Sequence, residues 1–214
     1  VTNLVTWQTK PGRQAETMAA VANAKRLFEG LGARVRVYQP LVAGPAVSNL
    51  SFVTEFDTMS AYAKFTATLQ NNADWQQQLA VINSAEAGAT LVASSLSVTI
   101  PGLEISGAAA KGAGPRVVTA SIVQPLPGKQ PGAIADLKEL APILTKVGGR
   151  FSARLITVGG PATGNIAIVS EADDLAAWGA TMDKLPAVAE FQAWAAKSVS
   201  SMMLVSRAVV IQIL

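Results

Sequence analysis

Apolar and polar side chains alternate from Arg34 onward: Val35 and Val37 fall on one side, Arg36 and Tyr38 on the other. A period of two predicts a strand over residues 34–41 with the valines facing a core. Leu50 and Phe52 alternate in the same way with Ser51 and Val53, which predicts a second strand over 49–56. Upstream, Met18, Val21, Ala22, Leu27 and Phe28 recur at helical spacing, so 13–29 reads as a helix that Gly30 and Gly32 stop. A strand over 3–9 precedes it and ends at the breaker run Lys10-Pro11-Gly12. Asp57 stands where an N-cap belongs, ahead of helices expected at 58–69 and 74–85. A last strand is expected at 91–100. The order is β-α-β-β-α-β.

The pattern then recurs. Shifted by 116 residues, the chain matches itself without a gap from Val1 to about Asn83. Gln8, Pro11, Gly12 and Gln14 meet Gln124, Pro127, Gly128 and Gln130, and Gly44-Pro45-Ala46-x-x-Asn49 meets Gly160-Pro161-Ala162-x-x-Asn165. Val53, Glu55 and Asp57 meet Val169, Glu171 and Asp173; after a three-residue deletion, Leu91-Val92-Ala93 meets Leu204-Val205-Ser206. Such a constant offset marks a tandem duplication. The copy repeats the alternation, with Phe151 and Ala153 set against Ser152 and Arg154. In the copy, Pro142 is expected to kink or restart the helix at 133–146, and Asp173 is expected to cap like Asp57.

Three segments follow: a first ferredoxin-like repeat at 1–100, a Gly/Ala/Pro linker at 101–115, and a second repeat at 116–214. One β-α-β-β-α-β unit makes an antiparallel sheet with helices on a single face. Two such sheets cover each other's bare faces, so the expected fold is α+β, two tandem ferredoxin-like repeats forming an intrachain α/β barrel. Val35, Val37, Phe151 and Ala153 then suit the helix side. Arg36, Tyr38, Ser152 and Arg154 would line the space between the sheets.

Composition narrows the chemistry. Half of the 214 residues are hydrophobic and 14% charged, enough apolar surface for a substantial core. The net charge of +3 is spread along the chain without basic clusters, so a nucleic-acid partner is not expected. There is no cysteine and no histidine, which removes thiolate chemistry, the Ser-His-Asp triad and the commonest metal ligand. No acidic cluster has metal-ligand spacing, so no metal is expected. Phosphate-loop, dinucleotide and nucleophile-elbow motifs are absent. No stretch approaches the roughly 18 apolar residues of a membrane span, and no signal peptide opens the chain. A cytoplasmic protein is expected, with some segment removed ahead of Val1.

In element order, repeat length and the Gly-Pro-x-x-x-Asn hairpin at Gly44–Asn49 and Gly160–Asn165, the chain resembles the dimeric α/β-barrel superfamily. Its members include the antibiotic-biosynthesis monooxygenase, NIPSNAP, EthD and stress-responsive barrel families. The resemblance covers both repeats. It implies cofactor-free oxygenases, haem degraders, isomerases, decarboxylases or barrels without activity. Haem degraders of this fold hold iron through a histidine, which this chain lacks. The implied function is a cofactor-free monooxygenase or isomerase acting on a small aromatic or polyketide-like molecule. A non-catalytic ligand-binding or stress-associated barrel, or an oligomerising protein, is the competing reading.

Six residues are candidates for ligand contact. Arg36, Tyr38 and Arg154 would give a cationic, hydrogen-bonding pocket for an acidic or phenolic ligand; against this, they would pair with Glu55 and Glu171. Asn49 and Asn165 would orient a substrate oxygen, or simply satisfy backbone groups after the turn. Trp7 has Val123 as its counterpart, and that asymmetry marks it as a ring-stacking residue. Tyr62, Trp75, Trp178 and Trp194 read as core, since Tyr62 aligns with Trp178 and Trp75 with Phe191. Glu55 and Glu171 read as salt-bridging or capping carboxylates before general bases. No cofactor is expected. A homo-oligomer is.

Overall fold

The computed structural model describes residues 1–84, 86–106 and 115–214. These form an α+β structure with eight strands and six α-helices. The chain divides into two compact units, one of residues 1–40, 45–96 and 213–214, the other of 41–44 and 97–212.

The first unit runs β1 (Thr2–Thr9), α1 (Gln14–Gly30), most of β2 (Arg34–Val42), β3 (Asn49–Glu55), α2 (Met59–Gln70) and α3 (Ala73–Ile82), and takes in most of β4 (Ala89–Thr99). β3 pairs antiparallel with both β1 and β2, and β4 lies close to β1, where Asn3 Nδ2 donates to the Ser95 carbonyl at 3.1 Å. Register fixes the faces. Trp7 opposes Leu50 and Val5 opposes Phe52, whereas Arg36 opposes Val53 and Tyr38 opposes Ser51. Leu50 and Phe52 pack with Val35 and Val37 against Val21, Ala24 and Phe28 of α1 and Phe65 and Leu69 of α2. Phe28 is the hub, edge-on to Phe52, Phe65 and Trp75 with centroids 5.3, 5.1 and 5.0 Å away.

The second unit repeats the order: β5 (Val117–Pro125), α4 (Gln130–Lys146), β6 (Arg150–Val158), β7 (Ile166–Ala172), α5 (Leu175–Lys184), α6 (Ala189–Ser198) and β8 (Met202–Gln212). Its sheet is ordered β8-β5-β7-β6, antiparallel throughout, the ferredoxin-like order. The apolar set identified in the sequence faces the helices here too: Phe151, Ala153, Ile166 and Ile168 pack against Leu137, Leu140 and Leu144 of α4. Left-handed backbone falls at matching glycines, Gly12 and Gly128, Gly32 and Gly148, Gly44 and Gly160. Only glycine adopts these angles without steric cost.

Several local expectations need correction. α4 is one helix from Gln130 to Lys146 with Pro142 inside it, not a restarted one. Pro142 and Lys138, whose carbonyl loses its partner, both lie on the exposed side of the helix, while the buried Leu137, Leu140 and Leu144 hold the other side against the core. The helix caps lie one residue later than Asp57 and Asp173. Thr58 Oγ1 accepts from Ala61 N at 3.1 Å and Asp174 Oδ1 from Ala177 N at 2.7 Å. Asp57 and Asp173 are instead drawn to Arg34 and Arg150 at the start of β2 and β6. Asp174→Ala is therefore expected to cost about 0.5–2 kcal/mol in urea unfolding. Asp174→Asn keeps the accepting oxygen and should retain most of that stability, which a purely charge-based role for Asp174 would not allow.

The stretch read as a linker begins as structure. Leu103 is fully buried in the second unit's core, its carbonyl accepts from Ala153 N at 3.0 Å, and Ser106 bridges to Phe151. The rest of that stretch, 107–114, lies outside the described residues. Among the described residues no helix is long and apolar enough to cross a membrane.

Candidate functional site

In the first unit, α1, α2 and α3 lie over the sheet face that carries Val5, Trp7 and Phe52, and the layers do not close completely. They enclose a cavity of about 410 Å³, within the range of about 300–1,000 Å³ usual for small-molecule sites. β1 supplies Asn3 and Trp7, α1 supplies Ala24 and Phe28, α2 supplies Tyr62 and Phe65, and α3 supplies Trp75 and Gln78. The wall is thus largely aromatic, with a few polar tips.

The second unit explains why this space is open. Residue for residue, 116 positions on, Ala24 becomes Leu140, Gln78 becomes Trp194 and Tyr62 becomes Trp178. Trp194 Nε1 donates to the Asp136 carbonyl at 2.7 Å. At the matching place Gln78 Nε2 donates to the Ala20 carbonyl at 2.8 Å. The hydrogen bond is kept while the indole is lost, and a shorter side chain leaves room. Trp178 Nε1 likewise finds Thr119 Oγ1 at 3.0 Å. Its counterparts Tyr62 and Asn3 make no such pair, because Asn3 is turned to Ser95. Buried or half-buried indole and phenol groups normally find partners. Among the described residues the Trp7 and Trp75 indole N–H groups and the Tyr62 hydroxyl have none in the protein, and all three residues line the cavity.

Charge is nearly absent from the lining. Glu16, the one carboxylate among its described residues, lies at the exposed rim and is gripped by Arg13, with Nε to Oε2 at 2.6 Å and Nη2 to Oε1 at 2.8 Å. The Arg13 hydrogen bond holds the Glu16 carboxyl below the ordinary carboxylate range, so it stays ionised and accepts protons poorly. Tyr62 is the other ionisable group in the wall.

The six candidates from the sequence separate. Trp7 lines the aromatic cavity. Arg36 and Tyr38 belong to the opposite face of the same sheet, since their partners Val53 and Ser51 are odd-numbered steps from Leu50, the partner of Trp7. One ligand therefore cannot stack on Trp7 and touch Arg36 or Tyr38 through the sheet. Arg36 Nη2 faces Glu55 Oε2 at 3.5 Å, and Tyr38 is buried. Arg154 lies on β6 opposite Ala167, on the face away from α4. Asn165 is buried at the hairpin, where its backbone N–H donates to the Ala162 carbonyl and its carbonyl accepts from Ile156 N. Asn49 borders a second, polar cavity of about 580 Å³ at the hairpin end of the first unit.

Tyr62, Trp75 and Gln78 are the site residues that sequence alone assigned to the core or passed over. The usable signal was the difference between positions 116 residues apart: Gln against Trp at 78 and 194, and Trp against Val at 7 and 123. Among the described residues no group of three or more acidic or other metal-ligating side chains is placed to hold a metal ion.

Solved structures resemble the chain over nearly its whole length. A provisionally named monooxygenase from Fusobacterium nucleatum subsp. nucleatum matches 99% of this chain and 90% of its own, with a TM-score of 0.68 and 10% identity. An anthrone oxidase-like protein matches 100% and 91%, with a TM-score of 0.67 and 11% identity. A point mutant of chlorite dismutase from Candidatus Nitrospira defluvii matches 100% and 90%, with a TM-score of 0.55 and 14% identity. At these identities the likeness speaks for the fold alone. No protein-family model and no curated protein sequence matches the chain.

Proposed function

We propose that the chain is a duplicated ferredoxin-like protein in which the first copy carries the working site, and that it is a cofactor-free monooxygenase acting on a small, flat aromatic or polyketide-like molecule. The observation that carries this is the aromatic cavity whose Trp7, Trp75 and Tyr62 polar groups have no protein partner among the described residues. The rings stack on an aromatic ligand. The free N–H and O–H donors meet a ligand carbonyl or phenol oxygen, and they hold it more strongly once it carries negative charge. That preference makes the ligand more acidic and favours its enolate. An electron-rich enolate reduces dioxygen directly; for a ring methylene the balance is CH2 + O2 → C=O + H2O. The protein's part is binding, orientation and stabilisation of the anion. The monooxygenase and anthrone oxidase names among the structural neighbours support the reading.

One observation favours a non-catalytic carrier instead. Glu16, the carboxylate of the wall, is tied to Arg13 at the rim, so no strong base among the described residues faces a bound ligand. Anthrone separates the two readings. Oxygen uptake above the uncatalysed rate, reduced about 10²-fold by Trp7→Phe or Tyr62→Phe, supports the oxygenase. Saturable quenching of tryptophan fluorescence under nitrogen with no oxygen uptake in air assigns a carrier. Neither quenching nor uptake removes the site. Self-association is part of the same proposal, supported by the half-exposed Leu91 and Val92 on β4 and Leu204 and Val205 on β8.

A further inference from the structure

The aromatic cavity of the first unit is not roomy on every side. Phe28, Phe65 and Trp75 are each larger than the residues 116 positions on, Leu144, Thr181 and Phe191. Space is gained instead along α1. Ala20, Val21 and Ala24 line the cavity there, and the residues 116 positions on are Asp136, Leu137 and Leu140. Residues three and four apart share a helix face, so Ala20 and Ala24, with Val21 beside them, make a strip of short side chains that ends one turn before Phe28. Ala24 shows the largest difference. It is buried in the first unit's core as Leu140 is in the second's, but its side chain stops at the β-carbon. A leucine in its place would project three more carbons.

Volume converts this into a limit on the ligand. An apolar cavity of about 150 Å³ takes up one benzene, which allows about 25 Å³ for each non-hydrogen atom. On that scale the 410 Å³ of the cavity holds about 16 such atoms. Three fused six-membered rings with one or two oxygens fill it. A fourth ring would have to push aside packed side chains, and overpacking is costly. Leucine at position 24 would take up about 75 Å³ and leave room for about 13 atoms, which is two rings with small substituents.

We propose that Ala24 is the specificity-determining residue of this site and that it sets the limit at three fused rings. The inference rests on the reading of the cavity as a site for a flat aromatic ligand. It concerns binding and not turnover, so it applies to an oxygenase and to a carrier alike.

The test is a ladder of hydroxylated probes, two-ring 2-naphthol, three-ring 2-anthrol and four-ring 6-hydroxychrysene. Each is titrated under nitrogen into the whole chain, Ala24→Leu and Ala24→Val, and followed by quenching of tryptophan fluorescence. The unsubstituted protein is expected to bind the two- and three-ring probes, and the four-ring probe about tenfold or more weaker than 2-anthrol. Ala24→Leu should weaken 2-anthrol about tenfold or more while 2-naphthol changes by less than about twofold. Ala24→Val should fall between, and it decides the same ratio if the leucine variant does not fold. Equal weakening of both probes in either variant overturns the assignment, because damage to the site as a whole does not sort ligands by length. Binding of the four-ring probe as tightly as 2-anthrol overturns the limit while leaving the aromatic site in place. Failure of the unsubstituted protein to bind any of the three removes the aromatic site, and the limit with it.

Discussion

Arg150→Ala should destabilise the protein by about 3–5 kcal/mol, while Arg34→Ala should cost no more than about 1 kcal/mol. The two arginines stand 116 residues apart, one in each unit, and approach aspartates with the same separation. Arg34 Nη1 lies 2.9 Å from Asp57 Oδ1, with side chains 59% and 81% exposed. Water screens that pair, and its loss is nearly free. The Arg150 side chain is 8% exposed; it bonds Asp173 through Nη1 and faces Glu171 Oε2 from Nε at 3.7 Å. Glu171, 3% exposed, has Arg116 as a further partner at 3.4 Å. Removing Arg150 leaves a buried carboxylate short of a cation, and a buried charge without compensation is what makes such losses large. The Nη2 of Arg150 is itself buried without a hydrogen bond, so the cluster is tuned imperfectly. Replacing the group with apolar residues as a set would cost less than removing Arg150 alone. Urea midpoints of the two single variants decide the matter. Equal, small shifts in both would mean that the cluster in the second unit is as well hydrated as the pair in the first.

Element order was legible because it rests on period. Val35 and Val37 against Arg36 and Tyr38 is a statement about alternate faces, and the register opposite β3 puts the valines into the helix-side core. What lay just beyond the period was less legible. Asp57-Thr58 and Asp173-Asp174 each offer two caps in succession, and the choice depends on an arginine 23 residues earlier that claims the first aspartate. Pro142 was read by its local rule, and tertiary packing of Leu137, Leu140 and Leu144 overrode it. The cavity was the least legible feature. It is a deficit of volume, set jointly by Ala24, Gln78 and the sheet residues beneath them, which are far apart in sequence. Reading the copies for likeness assigned Tyr62 and Trp75 to packing, which is half right, since Trp75 does sit on Phe28 and Tyr62 on Phe56. Their polar ends, unlike those of Trp178 and Trp194, are left over.

Gln78→Trp is the change that tests this account most directly. It imports the residue of the second copy into a site with the same backbone acceptor, so the new indole N–H would find the Ala20 carbonyl as Trp194 finds that of Asp136. The ring would then occupy the 410 Å³ now open. Binding of an apolar probe such as anilinonaphthalene sulfonate should weaken at least tenfold, about 1.4 kcal/mol or more, with stability unchanged or raised. The reverse exchange, Trp194→Gln, keeps the hydrogen bond to Asp136 and removes the indole beside Phe191. Its cost is then the cavity alone, about 3 kcal/mol, and the second copy should gain probe binding it did not have. Undiminished probe affinity in Gln78→Trp would place the ligand outside the first unit's aromatic cavity. A Trp194→Gln variant as stable as the parent would mean that the indole does not fill the second unit as its contacts indicate. If both exchanges behave as described, one side chain per copy decides whether a ferredoxin-like layer is a packed core or a binding site. One unit would then hold the fold while the other is open to a ligand.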